Sequence, residues 1–318
     1  MRNLTIKILA LLIPLSLVSA NVLHASDDTP AWILFQRGMH LYTQRSYGEA
    51  FRLFRVVTTR SEHPEAEYWI GRIFENEGQS TLALRQFERA LEIAYKADSD
   101  EFHVAVLLSI ADIYKKQERF DLYEATLSRI INDVKIDARA STRTPSRIDM
   151  DYERVLSDRL LDLGLDRVIY FFRYELDALI TPYGDLGVHY FKSEKDRDAI
   201  RKLISSVTII LSRLIDVHRE YNPHFEYSSV RNLFSLSERD QRMREYMIGT
   251  GLYEYLFFLA LALDSIGQNQ QANYILGFIA ESNVRNNFTD IALRIRNNNF
   301  SARYKDGVKR AFLFTNRS

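Results

Sequence analysis

Cysteine is absent from the 318-residue chain, which excludes disulfides, thiol nucleophiles, thiolate metal sites and the lipidated cysteine of a bacterial lipoprotein. A chain without thiols suits an oxidising compartment. Glycine and proline are scarce, 12 and 6 residues, which is about half the usual share. Long stretches are instead rich in Leu, Ala, Glu, Arg and Ile, a composition that favours helices joined by short turns. An excess of one charge is missing too: 42 basic residues balance 42 acidic ones, so no global field draws the protein onto nucleic acid or an anionic membrane. Long hydrophobic runs are also lacking. The first, Ile8 to Val18, falls well short of the roughly 20 residues that span a bilayer as a helix. A later one, Tyr255 to Leu263, is bounded by Glu254 and Asp264.

The short apolar run is flanked by Arg2 and Lys7 and followed by Val18-Ser19-Ala20, the pattern of a secretory signal peptide over residues 1–20. Cleavage is expected after Ala20, with Ala25 the second choice. The mature protein is expected to be soluble and periplasmic, with no stable membrane span.

Motifs of chemistry are the next absence. The sequence has no Gly-x-Ser-x-Gly elbow, no phosphate-cradling glycine loop and no His-Glu-x-x-His helix. Seven histidines are scattered; only His218 and His224 lie close, and Pro223 between them makes a turn whose spacing matches no established metal-ligand pattern. Acidic groups such as Asp98, Asp100 and Glu101 read as solvated loop residues. No catalytic residue, metal or cofactor is assigned, and the protein is not expected to be an enzyme.

What the chain does have is self-similarity. Gly38, Ala50 and Phe54 recur as Gly71, Ala83 and Phe87, each displaced by 33 residues. Within the first unit, Leu34, Phe35, Gly38, Leu41 and Tyr42 fall on one helical stripe, then Tyr47, Ala50, Phe51 and Phe54 on a second. Each unit therefore reads as two helices and a turn. The small residues let the two backbones approach, and the aromatic ones fill the space beside them.

This pattern resembles the tetratricopeptide repeat (TPR) family. The match is best over residues 64–97, where Ile70 and Gly71 take the Leu-Gly place, Phe74 the aromatic place, Gly78 the turn, and Ala83, Phe87 and Ala90 the second-helix signature. Trp69 sits two places from the family's usual tryptophan, and Tyr95 replaces its proline. Residues 31–63 form a first unit and 104–137 a degenerate third with Ile110, Ala111, Tyr114 and Leu127, in which Tyr123 stands where alanine is expected. A fainter copy spans 253–286 through Ala260, Gly267, Ala272, Leu276 and Ile279.

The expected fold is all-α: a TPR-like helix-turn-helix solenoid with a C-terminal helical module. Its divisions are an array of three repeats over 31–137, a polar hinge near Pro145, a helical module over 149–250, and a repeat-like hairpin with a basic segment over 251–318. Inside the module, helices broken near Gly164 are expected to stop at Thr181-Pro182, with Pro182, Gly184 and Gly187 making a loop. Ser193 with Asp196, and Ser237 with Asp240, read as capping pairs that open helices. The seam Ile200, Ile204, Val207, Leu211, Leu214 and His218 suits either internal packing, the favoured reading, or self-association.

The resemblance implies a concave groove lined by the first helix of each unit. Carrying over the family's five groove positions gives Trp32, Phe35, Met39, Tyr42 and Thr43, then Glu65, Tyr68, Arg72, Glu75 and Asn76, then Ala105, Leu108, Asp112, Lys115 and Lys116. The lining is aromatic at one end and charged at the other, suited to an extended or helical peptide of a partner protein. Phe35, Met39, Trp69, Ala105 and Ser109 occupy the places where co-chaperone members hold a terminal carboxylate with cationic and amide side chains, so that clamp is not expected.

The reading is a protein-protein interaction scaffold or assembly factor of the bacterial envelope. Exported proteins that resemble it serve outer-membrane assembly, transport or accessory structures of the periplasmic flagellar motor. The rival readings are a periplasmic small-molecule or lipid-binding protein, in which Tyr170, Phe171, Phe172 and Tyr174 help line a pocket, and an envelope-polymer enzyme using paired carboxylates. Residues 279–318 carry eight basic residues against three acidic ones, a local asymmetry that either stays solvated or meets an anionic partner. A short helix is expected from Phe288 to Arg296.

Overall fold

A computed structural model describes residues 29–96, 100–141, 152–174 and 176–314. The leader at 1–20, the hinge at Pro145 and Asp98 lie outside the described residues. Within them the chain is helical, without strands. Three hairpins come first: α1 (Ala31–Thr43) with α2 (Tyr47–Arg60), α3 (Pro64–Asn76) with α4 (Ser80–Lys96), and α5 (Asp100–Lys116) with α6 (Phe120–Ser141). Two shorter helices follow, α7 (Tyr152–Leu163) and α8 (Leu165–Phe171), broken at Gly164 as expected. A single 3-10 turn, Asp177–Leu179, then leads into a long hairpin, α9 (Ile180–Lys192) with α10 (Asp196–Tyr221). After it come α11 (Val230–Ser237) and α12 (Gln241–Gly249), the hairpin of α13 (Leu252–Ser265) with α14 (Asn269–Ala280), and finally α15 (Asn287–Asn297) and α16 (Ala302–Phe314).

The hairpins share one turn. Two positions beyond the end of each first helix stands a residue with positive φ: Arg45, Gly78, Glu118, Glu194 and Gly267. The amide of the next residue reaches back to the carbonyl five positions earlier, Ser46 to Leu41 at 2.9 Å, Gln79 to Phe74 at 2.8 Å, and Arg119, Lys195 and Gln268 to Tyr114, Tyr190 and Leu263, each at 2.9 Å. Such a turn satisfies the orphan carbonyls of the helix end and sends the chain back antiparallel.

Close approach within the pairs explains the small residues. A Cβ on Gly38 would lie 2.7 Å from the Phe54 ring, and one on Gly71 2.5 Å from Phe87. Phe54 and Phe87 are fully buried in these notches.

The 182–187 stretch is a correction: it is helix, not loop. Pro182 falls at the third position of α9, where its missing N–H is one the helix start leaves unpaired anyway. Gly184 and Gly187 are buried contact points, since a Cβ at Gly184 would sit 2.1 Å from the Tyr255 ring and one at Gly187 2.6 Å from Leu203. Glu194 is the positive-φ turn residue, so Gly187 and Ala199 stand 12 positions apart, as do Gly38 and Ala50, and Gly71 and Ala83. The α9–α10 hairpin is thus a further repeat.

The capping pairs also shift. Ser193 is the C-cap of α9, and α10 starts at Asp196 after Lys195 without a side-chain cap. Ser237 ends α11, while Asp240 caps α12 by accepting from the Met243 amide at 2.9 Å. Polar spacing resembled the cap, but the turn geometry decided which residue performs it.

Hairpins stack in order. α2 packs on α3, α4 on α5, α6 on α9, α10 on α13, and α14 on α15. The pairs α7–α8 and α11–α12 are side additions, with α7, α8 and α11 packed on α10. One apolar core runs from Ala83 to Ile295, and a smaller one fills α1 to α3. The seam of α10 lies inside the large core, with Ile200, Ile204, Val207 and Leu211 fully buried. No single helix among the described residues is long and apolar enough to cross a membrane; α13, the most apolar, is buried along most of its length.

Candidate functional site: the concave face

The first helices α1, α3 and α5 stand side by side, and the groove positions named from the sequence come together on them. Trp32, at the open end, is 60% exposed. Phe35 stacks on His63 at 4.7 Å and tilts on Phe54; Met39 packs in the small core. Tyr42 meets the edge of Trp69 at 4.7 Å, and its hydroxyl accepts from the Asn76 amide at 2.9 Å. Tyr68 bonds Ser109 across to α5 at 3.2 Å and contacts Trp69 and Phe102 edge-on. Tyr42, Tyr68 and Trp69 therefore tie neighbouring repeats together.

Charges follow along the strip. Arg72 lies 3.5 Å from Glu75. Burial works against its charge, and Tyr68, Glu75 and Tyr42 around it outweigh that and hold its pKa above the ordinary value. Lys116 bridges Glu75 at 2.8 Å and Asp112 at 2.6 Å, and these two hydrogen bonds raise its pKa. Lys115 reaches Asp185 on α9 at 3.8 Å. The groove cations Arg72, Lys115 and Lys116 are thus each already paired with a carboxylate.

Beyond α5 the face continues through residues that the loop reading of 182–187 hid. Asp185 accepts from Tyr123 and Tyr255, each at 3.2 Å, linking α6, α9 and α13. Burial pushes the Glu254 carboxyl above its usual range, and the Asp185 charge adds to this. Burial also lowers Lys192, helped by Lys115. The signal that would have revealed this part of the groove was the Gly187–Ala199 spacing.

The other candidates resolve separately. Tyr170 and Phe171 are 56% and 60% exposed at the end of α8, whereas Tyr174 is buried against Tyr152 and Tyr183. The aromatic run therefore faces two ways. His218 bonds Ser237 at 2.9 Å and stacks on Phe225, and no group of three or more metal-ligating side chains converges among the described residues. The helix expected at 288–296 is α15, opened by a capping box between Asn286 and Thr289. Part of the C-terminal basic charge is used internally: Arg296 pairs with Glu281 at 3.8 Å, Lys305 with Asp264, and Lys309 with Asp196 at 3.4 Å.

Repeated hairpins with a shared turn, small-residue contacts and a first-helix face define an all-α, TPR-like helical-repeat protein. Solved structures found similar to it include nearly identical TPR-like repeats of a Podosopora anserina putative kinesin light chain, at 14% identity and a TM-score of 0.43 over 81% of this chain and 100% of that one. A second crystal structure of that protein aligns at 15% and 0.41, over 79% and 94% of the two chains. The C-terminal part of a TPR repeat-containing protein from Cytophaga hutchinsonii aligns at 11% and 0.28, over 81% and 99%. No protein-family model and no curated protein matches the sequence.

Proposed function

We propose that this protein is a non-enzymatic scaffold that docks a partner protein in the groove of α1, α3 and α5, as an exported assembly factor of the bacterial envelope. The observation that carries the docking reading is the composition of that face. Exposed Trp32 and half-buried Phe35, Tyr42 and Tyr68 offer apolar anchors beside a compensated polar strip of Arg72, Glu75, Asn76, Asp112 and Lys116. Aromatic anchors beside polar groups that set register are what an interface centre requires. Supporting the compartment are the leader pattern of residues 1–20 and the lack of cysteine.

The test uses Trp32→Ala, Arg72→Ala and Asn76→Ala together, because these side chains reach the surface and their loss leaves the core intact. Envelope extract passed over immobilised protein should yield a partner that the triple variant binds at least about tenfold more weakly. Equal capture by both forms, with equal circular dichroism, would remove the groove from the account.

A further inference from the structure

The last helix does not continue the stack. Side chains of α16 instead reach α13 at positions that the groove pattern names. Phe257 and Asp264 hold the fifth and twelfth places of their repeat, the places that Phe35 and Tyr42, and Tyr68 and Glu75, hold in theirs. Phe312 of α16 meets the Phe257 ring at 5.6 Å and Phe258 at 5.2 Å. Lys305 pairs with Asp264 and bonds Asn273 at 3.1 Å. Lys309 reaches Asp196 at 3.4 Å, bonds Ser265, and lies over the Phe191 ring at 5.6 Å.

We infer that the α9–α13 part of the groove is a binding site for an amphipathic helix, and that α16 is its exchangeable occupant. The site selects two cations one turn apart and an aromatic residue three positions further on. Three observations carry this. The contacts are complementary in charge, Asp196 and Asp264 against a helix with Arg303, Lys305, Lys309 and Arg310 and only Asp306 opposing them. The other side of the helix is open: a surface cleft of about 330 Å³ lies between α15 and α16, bounded by Ile291, Arg294, Tyr304, Val308, Ala311 and Phe312. The helix is also weakened without a packing reason, because Gly307 stands mid-helix with nothing within 4 Å of where a Cβ would lie. Glycine there lowers helix population about fivefold relative to alanine.

A tethered occupant competes at an effective concentration near the millimolar range, so it excludes weak ligands and yields to a better helix. The occupant class is a partner helix with the Lys305, Lys309 and Phe312 pattern.

The experiment titrates a fluorescent peptide of residues 301–314 onto the full chain and onto Lys305→Ala/Phe312→Ala. The variant is expected to bind the peptide at least about tenfold more tightly, and adding Asp264→Lys should abolish that gain. Equal binding by the two chains, no binding by either, or binding indifferent to Asp264 would overturn the inference. Should the variant not fold, hydrogen exchange on the unaltered chain decides. Amides of α16 should exchange at least about a hundredfold faster than those of α13, and Gly307→Ala should slow them. If α16 is as protected as α13, it is a fixed cap and the inference fails.

Discussion

Glycine means opposite things at two positions of this chain. At Gly187 the space is taken: a Cβ would lie 2.6 Å from Leu203 Cγ and 3.0 Å from its backbone nitrogen. Backbone cannot give way as the end of a flexible side chain does, so Gly187→Ala is expected to destabilise by about 1–3 kcal/mol. At Gly307 the space is open, and Gly307→Ala is expected to stabilise by about 0.5–1 kcal/mol. Thermal denaturation of the two variants checks the contrast; a loss at both positions, or at neither, contradicts it. Sequence alone assigned neither role: Gly187 carried the composition of a loop, and what faces each glycine is set by tertiary packing.

At the scale of elements, one carboxylate joins four helices. Glu153 of α7 meets Lys135 of α6, Lys202 of α10 at 2.6 Å, and the Tyr183 hydroxyl of α9 at 2.8 Å. Its side chain and that of Lys135 are each 7% exposed. Burial alone would raise the Glu153 pKa, but Lys202 and Lys135 outweigh it and hold the group below its ordinary value. A depressed carboxylate contributes stability above its unfolded pKa of about 4.3, and that contribution is lost as pH falls through the lower folded value. Glu153→Gln leaves a buried ammonium without its counter-charge, so a loss of about 3–5 kcal/mol is expected at neutral pH, with a flatter acid limb in denaturation curves. A cost below about 1 kcal/mol would show that water enters the cluster.

The first two hairpins were legible because Gly38, Ala50 and Phe54 recur at a fixed offset, and the third through the TPR-like places of Ile110, Ala111, Tyr114 and Leu127. The α9–α10 hairpin was not, because Pro182 and two glycines carry the composition of a loop. Tertiary packing against Tyr255 and Leu203 overrides that composition. The family positions named Tyr42, Tyr68, Glu75 and Lys116, whose side chains make contacts between neighbouring first helices. The compensation of Lys115 by Asp185 was not readable, because it joins residues of repeats that the sequence reading kept apart.

At the scale of the whole molecule, repeat stacking makes an extended face from short units that could not bury their apolar sides alone. The two halves of that face differ in state. The α1–α3–α5 half presents Trp32 and Asn76 to solvent, whereas in the α9–α13 half Phe257, Phe258 and Asp264 meet side chains of α16. The central claim, that the uncovered half is the docking surface, is tested most directly by photo-crosslinking. A photoreactive residue would replace Trp32 or Asn76 in the groove, or Glu92 on the outer helix α4, in cells producing the protein. The account predicts one discrete crosslinked product from Trp32 and Asn76 and none from Glu92. A product from Glu92 alone, or equal products from all three, would contradict it.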